Sequence, residues 1–388
     1  MTRYLIISII ILVMAGCSHN QVVMYNNNEG KMTSNIEMEE VATKIFHLDS
    51  CSAPRPTYMY YAWNDSCREL TFLNEYNASI YKYDYDSGDT IGVIKLPISS
   101  KSIVNPRGYV FISDSVSGIL DTSRMKLFIY DSYNNRLLTE YDLKGDKKST
   151  WPNFYPQYYP TTSNPIRYED GKIKICGQSF FSLNNDNINK FKFESSIDLN
   201  DHNITYQTEY PDKIYGEDAN WEGGLQTSVY VTTRSDGAKL YSFPPSHDIL
   251  IRKGSNYEWK YGGSNKAKTI KSIDKPIKKT SNKDMVNNYL YQDMYGALLY
   301  DEYRDLIYRY ITFSLPESEA KDNPLDKNVG IIVMDNELNY IGEVLLGSGH
   351  NWNVNNSFIT KEGLNIEYIN SQDDEDILTL KIINFNKI

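Results

Sequence analysis

LTFLNEYNASIYKYDYDSGDTIGVIKLP, residues 70–97, is the stretch whose pattern decides the fold. Within it, Tyr81, Tyr83 and Tyr85 alternate with charged residues, which is the period-two pattern of a β-strand with one apolar face. The Asp86-Ser87-Gly88-Asp89 sequence that follows predicts a tight turn, because glycine adopts positive φ and aspartate side chains bond turn amides. The stretch therefore predicts three antiparallel strands joined by two tight turns.

Weaker copies of this unit recur towards the C-terminus. Three of them, at 126–143, 196–211 and 330–346, keep an aspartate at the end of a strand, before a polar turn. A fourth, at 249–262, lacks the aspartate but keeps a Gly254-Ser255-Asn256 turn. Repeats of roughly 40 to 65 residues that contain four short antiparallel strands are typical of propeller blades. Such blades stack, because one blade cannot bury its own faces.

We therefore predict an all-β protein with a β-propeller fold. The last repeat ends with Leu378 to Asn386, which resembles the third strand of a blade with no return strand, whereas Ala42 to Ser50 has the pattern of a return strand. We expect this N-terminal strand to close the ring as the outer strand of the last blade, since a closed ring has no long open edge. Six strand clusters predict six blades, and their irregular spacing leaves seven as an alternative: 57–97, 108–143, 165–211, 227–264, 295–347 and 355–388.

The first 16 residues predict a signal peptide rather than part of the fold. Arg3 supplies a positive N-terminal region, and the apolar run from Tyr4 to Val13 is too short to span a bilayer. Met14-Ala15-Gly16-Cys17 resembles the bacterial lipoprotein box. This resemblance implies cleavage before Cys17 and its modification with acyl chains such as palmitate, which would anchor the chain to a membrane. The alternative is a plain secretory signal with an incidental cysteine.

The residues after Cys17 bear on location. Ser18 replaces the aspartate that tends to retain lipoproteins at the inner membrane, and no acidic residue follows that would suggest export to the cell surface. We therefore predict a cell-envelope lipoprotein of the outer membrane that faces the periplasm. The polar composition of residues 17–37 predicts a flexible tether, and residues 38–388 are predicted to form a single propeller domain because no linker divides them.

Composition limits the partners and the redox state. The net charge of −10 disfavours nucleic acid and anionic lipid surfaces as partners. Cysteine usage fits an oxidising envelope, in which Cys51 and Cys67 are a possible disulfide. Cys176 lies in an apolar strand pattern, and we expect it to be a buried core residue.

Three insertions between blades concentrate aromatic and polar side chains. They are WPNFYPQYYPTTSNP at 151–165, YGEDANWEGG at 215–224 and GSGHNWNVNN at 347–356. In a propeller such loops gather on one face, where rings beside polar groups can bind a sugar or a peptide. The alternative is that they pack as covers over the blade edges. The candidate ligand-binding residues are Trp151, Tyr155, Tyr158, Tyr159, Trp221, Glu222, His350 and Trp352.

A fourth insertion, at 265–294, is rich in lysine, which predicts either an interaction loop or a solvated segment. Motifs with defined chemistry are not found: the sequence contains no HExxH, no CxxC pair, no GxSxG and no phosphate loop. We therefore predict no catalytic residue, no metal site and no cofactor. If the protein were a hydrolase or lyase that acts on a polysaccharide, acids such as Glu217, Asp218 or Glu222 would be expected in the channel.

The lipoprotein box, the tyrosine-rich blades and the phrases LTFLNEYNASIYKYD and RDLIYRYITF resemble an uncharacterised family of propeller-type lipoproteins from Bacteroides-like bacteria, labelled only as a domain of unknown function. The resemblance implies the fold and an envelope location but no catalytic residues. Together these observations favour a binding or scaffold protein for a glycan, a peptide or an envelope protein. The alternatives are a polysaccharide hydrolase or lyase, and a purely structural partner in an outer-membrane complex.

Overall fold

The computed structural model describes residues 21–52, 55–63, 67–99, 102–144, 155–216, 219–317, 323–370 and 376–388. Six four-stranded antiparallel sheets form the blades of a β-propeller. The prediction of six blades is therefore confirmed. Two strands precede the first blade, β1 (Val23–Met24) and β2 (Ile36–His47).

The blades follow one another along the chain. Blade 1 consists of β3 (Met59–Trp63), β4 (Arg68–Asn74), β5 (Ser79–Asp84) and β6 (Thr90–Lys95). Blade 2 consists of β7 (Pro106–Phe111), β8 (Val116–Asp121), β9 (Lys126–Asp131) and β10 (Arg136–Asp142). Blade 3 consists of β11 (Arg167–Glu169), β12 (Lys172–Cys176), β13 (Lys192–Asp198) and β14 (Asn203–Glu209).

The second half of the ring carries the helical segments. A short helix α1 (Asp212–Tyr215) and a 3₁₀ turn (Gly224–Thr227) lead into blade 4, which consists of β15 (Tyr230–Thr233), β16 (Lys239–Ser242), β17 (Asp248–Lys253) and β18 (Asn256–Tyr261). The lysine-rich insertion then forms β19 (Ile270–Lys271), a 3₁₀ turn (Ile277–Lys279) and helix α2 (Asn282–Tyr291). No described helix is long and apolar enough to cross a membrane.

Blades 5 and 6 complete the ring. Blade 5 consists of β20 (Met294–Asp301), β21 (Leu306–Thr312), β22 (Asn328–Asp335) and β23 (Tyr340–Ser348), with a 3₁₀ turn (Pro324–Asp326) before β22. Blade 6 consists of β24 (Trp352–Thr360), β25 (Gly363–Tyr368) and β26 (Ile377–Lys387) from the C-terminus, with β2 as its fourth strand.

The aspartate of the repeat has a structural role. Asp84 ends the third strand of blade 1, and its Oδ1 accepts hydrogen bonds from the amides of Asp86 (2.9 Å) and Ser87 (2.7 Å). The equivalent residues Asp131 and Asp198 accept two turn amides in the same way. Each carboxylate thus satisfies the backbone of the turn between the third and fourth strands, which explains why it recurs.

The N-terminal strand closes the ring as predicted. β2 pairs antiparallel with β26 from Ile36 opposite Lys387 to His47 opposite Ile377, and it forms the outer edge of blade 6. The strand begins at Ile36, six residues before the predicted Ala42. Phe46 is fully buried in the core between blades 6 and 1, so closure also contributes apolar burial.

The described part of the predicted tether, residues 21–37, instead packs on the propeller. β1 pairs with β19 of the lysine-rich insertion. The buried Asn26 side chain donates to the carbonyls of Ser264 (2.8 Å) and Ala267 (2.6 Å). The prediction of a flexible tether does not hold for these residues, because strand pairing and the bonds of Asn26 attach them to the propeller. Residues 17–20 lie outside the described residues.

The possible disulfide between Cys51 and Cys67 is not present in the structure. The side chain of Asn74, at the end of β4, donates to the Cys51 carbonyl (2.5 Å), whereas Cys67 immediately precedes the start of the same strand at Arg68. A strand of this length holds its ends about 20 Å apart, far beyond the reach of a disulfide. Cys176 is buried, as expected for a core residue.

A buried guanidinium joins blades 4 and 5. Arg309, on β21, is fully buried and donates to Ser242 Oγ (3.0 Å) and to the carbonyls of Ser246 (2.8 Å) and Gly262 (3.0 Å). Its guanidinium lies 3.9 Å from the centre of the Tyr295 ring. These contacts satisfy a charge that would be costly to bury alone and fix the chain that leads into the lysine-rich insertion.

Candidate functional site

All six connections between blades reach the same end of the molecule, because each blade has four antiparallel strands and each connection leads into a first strand. We call this end the loop face. The first strands contact one another between several blades (β7 with β11, β15 with β20, and β20 with β24), as expected for strands around a central axis. The loop face therefore surrounds one mouth of the central channel.

Three adjoining depressions open at this mouth. Their volumes are about 740, 610 and 410 Å³. Arg55 and Asn353 line both the first and the second, whereas Tyr159 lines both the second and the third. Tyr230 lines both the first and the third, and Asn355 lines all three. We call the three together the central depression, which has Asn355 at its centre.

A bulge in the innermost strand of blade 6 places Asn355. The pairing of β24 with β25 shifts register between Asn353 and Ser357, and the Asn355 carbonyl accepts a hydrogen bond from the Ser163 amide (2.9 Å). Bulges re-aim side chains at the ends of strands. Here the bulge turns the Asn355 side chain outward, where it is exposed, and directs the neighbouring Asn356 inward.

A buried carboxylate supports this bulge from below. Glu367 Oε2, on β25, accepts hydrogen bonds from the side-chain amides of Asn353 and Asn356, both at 2.6 Å. Burial raises the pKa of Glu367 above its ordinary value. Asn356 also donates to the Pro56 carbonyl (2.6 Å), which ties the bulge to the connection that carries Arg55. The floor of the central depression is thus fixed by side-chain amides.

A buried lysine also borders the central depression. Lys327 is 1% exposed, and its Nζ donates to the carbonyls of Tyr289 and Gln292, both at 2.8 Å, at the C-terminus of α2. Burial lowers the pKa of Lys327 to about 7. These bonds fix the end of α2 beside the mouth of the channel, since lysine at a helix C-terminus stabilises free carbonyls.

Three of the predicted ligand-binding residues line the central depression. Tyr159 is 54% exposed there. His350 lines the largest depression, and its Nε2 lies 2.9 Å from Asp326 Oδ1. Trp352 lines the same depression, and its ring packs edge-on against Tyr368 with the ring centres 5.0 Å apart. The structure thus brings together residues from two insertions that are distant in sequence.

The other predicted aromatic residues are packed covers, the alternative that the sequence left open. Tyr155 is buried in the core between blades 2 and 3. Tyr158 is 1% exposed and hydrogen-bonds Ser195 Oγ. Trp221 is 1% exposed and donates from Nε1 to the Ile214 carbonyl (2.7 Å). None of these three lines the central depression, so their prediction as ligand-binding residues is not supported by their positions.

Glu222 is buried away from the central depression. It follows Trp221 and adopts a φ of 63°. No described group hydrogen-bonds its buried Oε1. Burial raises the pKa of Glu222 to about 8, and the nearby charge of Asp284 adds to the increase. Trp151, Glu217, Asp218 and Cys17 lie outside the described residues, so their predicted roles remain predictions.

Sequence reasoning missed the cations and amides of the site. Arg55, Arg107, Asn353 and Asn355 all line the central depression. Arg55 stands in a connection between blades and Arg107 at the start of β7, neither of them in a motif, and only the three-dimensional ring brings them together. The GSGHNWNVNN insertion did contain Asn353 and Asn355, but nothing in its pattern separated the inward Asn356 from the outward Asn355.

Carboxylates are scarce in the part of this site that the structure describes. Among the described residues that line the central depression, Glu75 is the only acid. Glycoside hydrolases use a pair of carboxylates about 5 to 10 Å apart, and the described lining does not supply one. Within the same described ranges, no three His, Cys, Asp or Glu side chains are grouped in a way that could hold a metal ion.

Comparison with known families agrees with this architecture. A family model described as a domain of unknown function, DUF4221, matches residues 33–345. The chain belongs to the DUF4221 family. The match begins just before β2, the strand that closes the ring, and ends within β23. No curated protein matches the chain.

Two solved structures show the same fold. A DUF4221 member from Bacteroides vulgatus is 16% identical, with a TM-score of 0.75 over 92% of this chain and 100% of that chain. A protein from Bacteroides fragilis is 13% identical, with a TM-score of 0.55 over 92% of this chain and 98% of that chain. At these identities the likeness shows the fold alone.

Proposed function

We propose that this DUF4221 protein is a lipid-anchored cell-envelope protein that binds a glycan, peptide or protein partner in its central depression. One observation carries the proposal: the three depressions join at Asn355 and expose both rings and amides at a single mouth. Ligand sites are concave and combine apolar walls with a few placed polar groups. The described lining, with one carboxylate, favours binding over hydrolysis.

The proposed location is the outer membrane, with the propeller facing the periplasm. The supporting pattern is the positive Arg3, the apolar run and the cysteine at position 17, followed by Ser18. The similar protein of Bacteroides fragilis carries the description exported protein, which is compatible with this location. The anchor would be the acylated Cys17.

The anchor is tested by metabolic labelling with an alkyne analogue of palmitate in a Bacteroides host, followed by membrane fractionation. We expect the native chain to carry the label and to sediment with outer membranes. Cys17→Ala should lose both properties. If the Cys17→Ala chain still sediments with outer membranes, the lipid anchor is not what holds the protein there.

The binding site is tested with the chain from Gln21 to Ile388, which contains every described residue. Envelope extract and a glycan array are probed in parallel with this chain and with the variants Asn355→Ala and Tyr159→Ala. Tyr133→Ala is the matched control, because Tyr133 is 87% exposed in a turn at the opposite end of blade 2. We expect the first two variants, but not the control, to lose the partner. Equal capture by all four chains would place binding elsewhere.

A further inference from the structure

The described lining of the central depression holds more basic than acidic side chains, whereas the whole protein is acidic. The chain carries a net charge of −10. The described residues that line the three depressions include Arg55 and Arg107 but only one carboxylate, that of Glu75. Lys327 also lines them, but burial lowers its pKa to about 7. A concave surface of one sign concentrates ligands of the opposite sign. This local reversal at the channel mouth indicates an anionic ligand.

The basic side chains of the depression differ in their hydrogen-bond and ion-pair partners. The ammonium of Lys327 donates hydrogen bonds to two backbone carbonyls at the end of α2. Arg107 forms an ion pair with Glu75, which also accepts a hydrogen bond from Thr57 Oγ1 (2.5 Å). Arg55 is exposed and makes no hydrogen bond or ion pair to any other described residue. Its guanidinium is therefore available for a ligand.

The nearby carboxylate of Glu367 is bonded by donors other than Arg55. Glu367 lies close enough for the charge of Arg55 to affect its titration, yet its Oε2 is held by Asn353 and Asn356. Burial raises the pKa of Glu367 above its ordinary value. Arg55 thus faces the depression as a fork of donors whose geometry matches a ligand carboxylate.

The groups around Arg55 suit a saccharide. Asn355 presents an exposed amide, which both donates and accepts hydrogen bonds, as sugar hydroxyls require. Asn353 lines the depression beside it, with its amide nitrogen bonded to Glu367. Tyr159 exposes a ring beside them, on which the apolar face of a pyranose can stack. We infer that the central depression binds a uronic-acid glycan, with Arg55 as the partner of its carboxylate. This inference rests on the proposed function and names its ligand class.

The experiment is calorimetric titration of the chain from Gln21 to Ile388 with four tetrasaccharides: galacturonate, mannuronate, guluronate and hyaluronan fragments. For each one that binds, its methyl ester is the matched neutral probe, and hexaglutamate is the acidic peptide probe. We expect at least one uronate to bind, its ester to bind at least about tenfold more weakly, and hexaglutamate not to bind.

Variants of Arg55 test whether uronate binding takes place in the central depression. Arg55→Gln should weaken uronate binding about tenfold or more, and Arg55→Lys should recover only part of it, because lysine is a point charge. Arg136→Gln is the matched control: it removes the same charge at the start of β10, on the opposite face, and should change affinity by less than about twofold. Near-ultraviolet circular dichroism checks that each variant is folded.

Several outcomes would overturn the inference. Failure of all four uronates to bind would do so, as would an ester that binds as well as its acid or a hexaglutamate that binds as tightly as the uronates. Equal loss in Arg55→Gln and Arg136→Gln would show only a general effect of net charge. The proposed function is tested separately. If the central depression binds a neutral glycan or a protein, and Asn355→Ala loses that binding, the proposed function stands and the uronate inference is rejected.

Discussion

The carboxylate of Glu194, in the third strand of blade 3, forms an ion pair with the ammonium of Lys239, in the second strand of blade 4. Glu194 is 1% exposed, and its Oε2 also accepts hydrogen bonds from Thr208 Oγ1 and the Tyr241 hydroxyl, both at 3.1 Å. Burial alone would raise the pKa of Glu194, but the charge of Lys239 and the hydrogen bonds lower it below its ordinary value. A polar contact thus connects two blades inside their shared interface.

We expect Glu194→Gln to lower the free energy of unfolding by about 2–4 kcal/mol at pH 7, since it leaves Lys239 without its partner. Because the pKa of Glu194 is lower in the folded state, its contribution is present above the unfolded pKa of about 4.3 and is lost as the pH falls through the folded pKa. Urea unfolding at pH 7 and pH 3.5 measures both effects.

The control for this prediction is Glu209→Gln. Glu209 pairs with Lys192 at 3.6 Å in the same blade, and both side chains are exposed. That pair should contribute less than about 1 kcal/mol. If the two variants lose equal stability, the interface between blades 3 and 4 gains nothing from the buried pair.

Glu222→Gln should have the opposite pH dependence. The pKa of Glu222 is raised to about 8 by burial, so the folded state keeps a proton that the unfolded state releases above about pH 4.3. The stability that this proton provides is therefore lost as the pH rises from 4.3 towards 8. Relative to the native chain, Glu222→Gln should gain at least about 1 kcal/mol in unfolding free energy between pH 5 and pH 8.

Urea titrations at the two pH values measure this gain, with Glu29→Gln, at an exposed position, as the control that should show no such change. The prediction is contradicted if the difference between Glu222→Gln and the native chain is the same at pH 5 and pH 8.

Gly88 allows blade 1 to approach the closing strand. It adopts a φ of +79°, and a Cβ at this position would lie 2.5 Å from the Ile45 carbonyl of β2. Gly237 has a φ of +78° but nothing within 4 Å of its would-be Cβ. Both alanine variants should lose about 1 kcal/mol from the left-handed backbone. Gly88→Ala should lose at least about 1 kcal/mol more from the clash. Thermal unfolding measures both losses. Equal losses would show that the backbone around Ile45 accommodates the added methyl group without loss of stability.

Removal of β2 should open the ring. A chain that begins at Cys51 lacks the strand that pairs with β26 from Ile377 to Lys387 and lacks the buried Phe46. We expect its melting temperature to fall by at least about 10 °C, or its single transition to broaden, relative to the chain from Gln21. Equal melting curves for the two chains would show that closure by β2 does not stabilise the propeller.

The fold could be predicted from the sequence because its signals are local. Tyr81 and Tyr83 alternate with charged residues on a single strand, and Asp84 bonds amides only two and three residues away. Such patterns do not depend on the rest of the chain. The number of blades and the closing strand were predicted because the same local pattern recurs along the chain.

The site could be predicted only in part, because burial depends on distant residues. Tyr159 and Tyr158 are adjacent aromatic residues in one insertion, yet Tyr159 faces the depression and Tyr158 bonds Ser195 of blade 3. Trp221 was expected to face a ligand, but the carbonyl of Ile214 satisfies its indole. Arg55 stands outside any sequence motif, and only the ring of blades places it beside Asn353 and Asn355.

The packing of residues 21–37 on the propeller determines how far the protein can reach. A flexible tether of 21 residues from 17 to 37 could extend about 70 Å. With β1 held against β19, only three residues separate Cys17 from Gln21, and the four residue-to-residue steps span at most about 14 Å. If Cys17 is the lipid anchor, as proposed, the propeller would lie directly above the lipid headgroups. It would then bind its ligands close to the membrane surface and could not reach across the periplasm.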